Sequence, residues 1–334
     1  MAMQFGTMKD LIDRAQDFDP IKVAVVDAAQ GLVIETLAEA HGLGIVEPAL
    51  IGDPEAIKNV AKAHDWPLRD GWIIAASDDV AAAAKAVRMV RDGAADAVVK
   101  GNIHTDILLR ALLDTDQGLR LPGRRVSHVF VTDIPAYPKL LGITDAAINI
   151  TPDLSAKAQI VQNAVELFHL LGVKTPKVAA LSAVETVTPA IVSTLDAACL
   201  TLMARRGQIG DALVDGPLAF DNAISAAAAA EKGIVSEVAG DADIVLAPDL
   251  VSGNILAKNL EYLAGAVAAG VVMGLSAPVA LSSRADDPAA RLAALALVSL
   301  IFHHSDKAAP PRPAPPEPSL HCAPQPEHAC GPPP

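Results

Sequence analysis

The residues best suited to chemistry stand in short polar groups, each directly behind an apolar run. They are Lys100-Gly101-Asn102 with Thr105, Ser182 with Glu185 and Thr186, and Asp215-Gly216-Pro217 with Asp221 and Asn222. Two more are Pro248-Asp249 with Gly253-Asn254 and Lys258, and Ser282-Ser283-Arg284 with Asp286 and Asp287. Asp, Asn and Ser are also ordinary turn and cap residues, so any one group is equally a plain turn. Five together carry more weight, because several strand ends aimed at one cleft would assemble a site. Ser283-Arg284 is the sharpest pair. A guanidinium presents a rigid fork to phosphate oxygens, and a neighbouring hydroxyl donates a further bond. Asp286 lies in the same loop and is suited either to take a proton or to orient the arginine. A plain ion pair of Arg284 with Asp286 or Asp287 is the structural alternative. Gly253-Asn254 leads into a helix whose first amides can hold an anion.

The elements that must position these groups follow from periodicity. Apolar, β-branched runs at 22–26, 45–51 (interrupted at Pro48), 72–75 and 96–99 read as strands. Amphipathic stretches at 31–41, after the cap Asp53, at 78–92 and at 105–113 read as the helices between them. Further strands are predicted at 125–132, 146–150, 178–181, 211–214, 243–246 and 279–281. Further helices are predicted from Asp153 or Ser155 to Leu171, past Pro189 to Arg206, and at 222–231, 255–269 and 289–301. Regular βα alternation predicts an α/β fold with a mostly parallel, helix-covered sheet. In such folds ligands sit at the carboxyl ends of the strands. The units are too many for one core, so the expectation is two α/β/α domains with a cleft between them.

Composition narrows the function. The chain has 334 residues, 51% of them apolar and 19% charged, which excludes disorder as the main state. A formal charge of −13 argues against a nucleic-acid partner and leaves room only for a local basic pocket. Three cysteines are too few for a disulfide framework; Cys199 stands in an apolar stretch and reads as core. His321, Cys322, His328 and Cys330 lack zinc spacing, and no metal site is expected. They lie in residues 308–334, which hold 11 of the 25 prolines and read as a disordered or polyproline-like tail. Asp10, Asp13, Asp17 and Asp19 stand where a signal peptide needs an apolar core. The apolar run 264–280 is glycine-broken and short for a membrane span. A soluble, cytoplasmic protein without a membrane partner is expected. The sequence carries no Gly-x-Gly-x-x-Gly behind its first strand, no Walker motif, no Gly-x-Ser-x-Gly and no His-Glu-x-x-His.

At its polar groups the chain resembles the phosphate acetyl/butyryl transferases. The resemblance runs from about residue 8 to residue 305. Its carriers are Lys100-Gly101-Asn102 with Thr105, the stretch 177–182, the block 215–224 and Gly240-Asp241-Ala242-Asp243-Ile244. Pro248-Asp249, Gly253-Asn254, Lys258, Pro278-Val279 and the closing Leu281-Ser282-Ser283-Arg284-Ala285-Asp286 complete it. The block 215–224 and the turn at Glu185 look closer to the butyryl branch.

The resemblance implies a reversible reaction in which acyl-CoA and phosphate give acyl phosphate and CoA. It implies CoA as substrate with no bound cofactor, a homodimer, and the fold of the isocitrate and isopropylmalate dehydrogenases. The implied domains are 1–126 with about 272–292, and 127–271 with about 293–307. Arg284 would bind phosphate and Ser283 would stabilise the oxygen of the tetrahedral intermediate. Lys100, Asn102, Thr105, Ser182, Asp221, Asn222, Asn254 and Lys258 would contact CoA or the other substrate. Acetyl-type relatives place their acid further past the arginine; counting forward reaches Pro288, Ala289 and Ala290. The butyryl-type Ser-Arg-Ala-Asp leaves Asp286 as the proton acceptor, with Asp249 in reserve. The alternatives are a metal- and NAD-dependent dehydrogenase of the same fold and a phosphate acyltransferase that uses an acyl-carrier protein.

Overall fold

The structure, a computed structural model, describes residues 5–283 and 286–305. Arg284, Ala285 and the segment 306–334 with its proline-rich tail lie outside the described residues. The first half contains α1 (Met8–Ala15), β1 (Ile21–Val26), α2 (Gly31–Gly42), β2 (Val46–Gly52), α3 (Pro54–Ala63) and β3 (Ile73–Ala75). It continues with α4 (Asp79–Arg91), β4 (Ala97–Lys100) and α5 (Thr105–Leu113). Then come β5 (Ser127–Asp133), β6 (Leu141–Thr144), α6 (Leu154–Leu170), β7 (Lys177–Leu181), α7 (Val192–Arg205) and β8 (Leu213–Leu218). The last elements are α8 (Phe220–Ile224), α9 (Ala226–Glu231), β9 (Ile244–Leu246), α10 (Leu250–Ala264), β10 (Val267–Met273), β11 (Val279–Ala280) and α11 (Pro288–His304).

All eleven strands join one mixed sheet in the order β3-β2-β1-β4-β11-β10-β5-β6-β9-β7-β8. The flanks are parallel, as βα alternation requires. Between them lie three antiparallel steps, β11/β10, β10/β5 and β5/β6. An odd number of reversals turns β9, β7 and β8 against β4 and β11. The polar groups behind β4 and β11 therefore leave the sheet one way, and those behind β7, β8 and β9 leave it the other way. Helix α10 runs back from the end of β9 towards the start of β10 and so returns Lys258 to the first group.

Strand alternation divides the core. Val23 and Val25 of β1 face a continuous cluster that also takes residues of α1, α2, α3, α6, α7 and α11. Ala24 and Val26 face the other side, where residues of α4 and α5 form one cluster. Phe130, Ile143, Ala179 and Val245 form a separate cluster on that side, with Ala223 of α8 and Ala257 of α10. Helix α11 is buried on all sides: every residue from Ala290 to Ile301 is hidden. It packs on α1, α2, β10 and β11 and so ties the two halves of the sheet together.

Several sequence expectations are corrected. Residues 146–150 form no strand. The preceding β6 ends at Thr144, and the Asp145 carboxylate accepts the Ala147 and Ile148 amides, both at 2.9 Å, which folds the chain into a turn. The helix expected over 255–269 begins at Leu250 and stops at Ala264, because Gly265 takes a left-handed φ of 67°. The residues that follow form β10, a strand the sequence reading missed. The helix expected over 222–231 is two short ones, divided at Ser225. β8 runs through Asp215-Gly216-Pro217 instead of ending before it; as an edge strand it tolerates the proline. β2 is unbroken at Pro48. Cys199 is exposed, since α7 buries Thr194, Ala197, Leu200 and Thr201 and turns the cysteine outward. No helix among the described residues is long and apolar enough to cross a membrane.

Gly101 joins the β1 and β4 loops at van der Waals distance. Its amide donates to Val26 O at 2.9 Å, and a Cβ there would lie 2.2 Å from Asp27 O. Gly101→Ala is therefore expected to lose roughly 1–3 kcal/mol of stability in urea unfolding. An alanine variant as stable as the unaltered protein would contradict this close approach.

Candidate active site

Between β11 and α11, the described residues Ser283 and Asp286 bond to each other. β11 leads into Leu281, whose amide donates to Gly270 O at 2.9 Å. Gly270 permits the approach: a Cβ there would stand 2.5 Å from Leu281 O. Two residues on, the Ser283 amide donates to Asp286 Oδ2 at 2.6 Å, and the Asp286 amide donates back to Ser283 O at 3.3 Å. Asp287 then caps α11 by accepting the Ala290 amide at 2.7 Å, with Pro288 at the first helical position. Strand end and helix start thus fix Ser283 and Asp286 against each other.

Asp286 is 3% exposed, and its Oδ1 makes no hydrogen bond among the described residues. Lys258 Nζ stands 3.6 Å from that oxygen. Burial pushes the Asp286 carboxyl above its ordinary value, against the Ser283 amide and the Lys258 charge, which favour the anion. Burial also pulls at the Lys258 ammonium, but a 2.9 Å bond to Glu261 and the nearby charges of Asp286 and Glu261 outweigh it and raise its pKa. The result is a half-hidden cation beside a carboxylate that holds a proton more readily than an exposed one. A group of this kind is suited to proton transfer.

Lys100 ends β4, is 4% exposed, and shares the wall of a small cavity with Ser282 and Arg291. The Asn102 amide donates to Asp27 O at 2.8 Å, and Thr105 is the first residue of α5. Among the candidates, the structure thus brings Asp286 against both Ser283 and Lys258, while Lys100 shares a cavity wall with Ser282 and Arg291. Arg284 lies outside the described residues.

The remaining candidates leave the sheet in the opposite direction. Ser182 Oγ pairs with Ser193 Oγ at 2.8 Å. Asn222 is fully buried, and its amide donates to Glu185, which also binds Lys232 at 2.6 Å; Lys232 reaches Asp221 at 3.3 Å. Asp249 caps α10, with Oδ1 accepting both the amide and the hydroxyl of Ser252 at 2.9 Å. Asn254 is exposed and donates to Ala146 O at 3.2 Å. Among the described residues no three His, Cys, Asp or Glu side chains gather as metal ligands.

Sequence reasoning missed Arg291. It is 5% exposed on α11, with Nη2 donating to Ser283 O at 2.8 Å and Nε to Asp286 O at 3.2 Å. The available signal was a lone cation inside the apolar run 289–301, since an arginine is rarely buried without a partner.

The chain is similar to proteins of one family. The profile described as "Phosphate acetyl/butaryl transferase" matches residues 73–298. A phosphate acetyltransferase of Rickettsia felis is 48% identical over 297 residues, covering 89% of this chain and 85% of that protein. A phosphate butyryltransferase of Clostridium acetobutylicum is 40% identical over 295 residues, covering 88% of this chain and 98% of that one. Among solved structures, a branched-chain phosphotransacylase from Enterococcus faecalis superposes with a TM-score of 0.73 at 30% identity, covering 85% of this chain and all of the other.

The raised pKa of Asp286 has a consequence for stability. Folding favours its protonated form, so its contribution is full below the pKa of an unfolded aspartate, about 3.9, and is lost as the pH climbs through the folded value. Asp286→Asn keeps an acceptor for the Ser283 amide and removes the buried charge. Urea unfolding should show this variant gaining on the unaltered protein as the pH rises from about 4 to about 7. A loss over the same range would contradict the burial argument.

Proposed function

The chain belongs to the phosphate acetyl/butyryl transferase family, and on that premise we propose that it moves a short acyl group reversibly between CoA and inorganic phosphate. The observation that carries this reading is the buried Asp286 carboxylate, with Oδ1 unbonded beside Lys258 and Oδ2 held by the Ser283 amide. In one direction the CoA sulfur attacks the carbonyl of an acyl phosphate. The thiol proton passes to Asp286 as the C–S bond forms. The tetrahedral intermediate collapses, the bond between the acyl carbon and the bridging oxygen breaks, and phosphate leaves with that oxygen and the electron pair. In the other direction a phosphate oxygen attacks the thioester, and Asp286 returns its proton to the departing sulfur.

Charge develops on the carbonyl oxygen and on the phosphate. The Ser283 hydroxyl is assigned to the first and the Arg284 guanidinium to the second. Lys258 and Lys100 add positive charge where anionic substrates must sit. Asn102 and Thr105, behind the same strand as Lys100, are assigned to the substrate that meets it. Ser182, Asp221 and Asn254 are assigned to the remote part of CoA, a molecule long enough to extend from one set of strand ends towards the other; Asn222, hidden from solvent, holds Glu185 instead of reaching CoA. No protein nucleophile is required, and CoA acts as substrate with no bound cofactor.

The proposed domains are residues 1–126 with about 272–292, and 127–271 with about 293–307, arranged as in the isocitrate and isopropylmalate dehydrogenases. The five-strand and six-strand halves of the sheet and the two separate core clusters on one face support that division. A cytoplasmic homodimer is the proposed state. Acyl length is open to either branch, since one methylene in a pocket discriminates by only about 1–3 kcal/mol.

The test follows free thiol with acetyl-CoA, propionyl-CoA or butyryl-CoA, each with and without phosphate. Phosphate-dependent thiol release from at least one is expected; release from none would reject the reading. Arg284→Ala should raise the KM for phosphate at least about tenfold, the loss expected of a charge-assisted pair. Unchanged phosphate dependence would remove Arg284 from that role.

A further inference from the structure

We propose that Arg291 is the positioning residue of this site: one guanidinium holds both ends of the loop that carries Ser283 and Asp286. The inference rests on the acyl-transfer reading and extends it to a residue outside the recognised motif. Nη2 bonds the carbonyl of Ser283 at 2.8 Å and Nε bonds the carbonyl of Asp286 at 3.2 Å, so the fork closes across the ends of the turn. The side chain spends these donors on backbone oxygens, which have no charge to neutralise. Its surroundings make the choice costly. Arg291 lies in the first turns of a helix hidden from Ala290 to Ile301, where an apolar residue would pack without desolvation. The cost has a return in geometry. Ser283 O already accepts the Asp286 amide, and the second donor from α11 ties the turn to the most buried helix of the fold.

The same guanidinium acts on Asp286 through charge. The carboxyl faces Lys258 and Glu261 from α10 and Arg291 from α11, while Lys100 from β4 shares the cavity wall with Arg291. Lys258 and Arg291 favour the carboxylate; Glu261 and burial oppose it. Removal of Arg291 therefore frees the loop and also makes Asp286 a stronger holder of its proton.

The experiment compares the unaltered protein with Arg291→Met and Arg291→Lys in the thiol-release assay across pH. Methionine removes both fork and charge. Its kcat should fall about 10²-fold with little change in the KM for acyl-CoA, as expected when a reacting group is misplaced by about an ångström. The acid limb of its pH–rate profile should move to higher pH. Lysine keeps the charge without the fork, so kcat should fall by a smaller factor, about tenfold, and the acid limb should stay in place. A loss confined to the amount of active protein, with the acid limb unmoved in Arg291→Met, would reduce Arg291 to a structural residue and overturn the proposal. Should the methionine variant fail to fold, the lysine variant decides alone: an undiminished kcat overturns the proposal. Activity in the unaltered protein with both variants unaffected would overturn this inference and leave the function standing. An unaltered protein that releases no thiol would overturn both.

Discussion

A carboxylate held out of water, with one oxygen bonded to an amide and the other unbonded near a cation, is the constraint on which the site is built. Water would satisfy Asp286 better than the protein does, and the protein keeps the group only by surrounding it. The Ser283 amide takes one oxygen, the Lys258 ammonium stands 3.6 Å from the other, and Arg291 lies behind both ends of the turn. Each neighbour comes from a different element: the strand end after β11, helix α10 and helix α11. A buried acid of this kind needs all three to be fixed at once.

The sheet supplies that fixation through its mixed order. A wholly parallel sheet would send every polar group out of the same edge. The three antiparallel steps in the centre divide them, and α10, running back along β9, carries Lys258 across to the first set. Helix α11 then seals the arrangement. It is apolar enough to be buried on every side, and it spans the junction between the two halves of the sheet. A cation inside such a helix has few places to go, which is why its fork can define a loop.

Much of this was legible in the sequence. The runs behind β1 and β4, the helix Thr105–Leu113 and the caps Asp53 and Asp153 have local causes: β-branched strings, amphipathic spacing and side-chain acceptors for free amides. The groups at Ser283 and Lys258 were legible as chemistry because they follow apolar runs. What stayed hidden depends on partners far away in the chain. Strand β10 reads as the tail of a helix until Gly265 is seen in its left-handed conformation. The stretch after Thr144 is apolar enough for a strand, yet a single carboxylate at Asp145 turns it. The strand reversals that divide the polar groups follow from pairing, which periodicity does not specify. Arg291 looked like one charge in a helix, because its meaning lies in two carbonyls that only the fold brings near.

The central claim is that Asp286 is a buried acid with a raised proton affinity, and a direct titration tests it. Carboxyl carbons labelled with 13C in aspartate, with the Asp286 signal assigned by its loss in Asp286→Asn, report the midpoint by NMR. The midpoint is expected above the value of about 3.9 typical of an exposed aspartate. A midpoint at or below that value would mean that the carboxylate is at ease where it lies and that Asp286 is no acid of raised proton affinity.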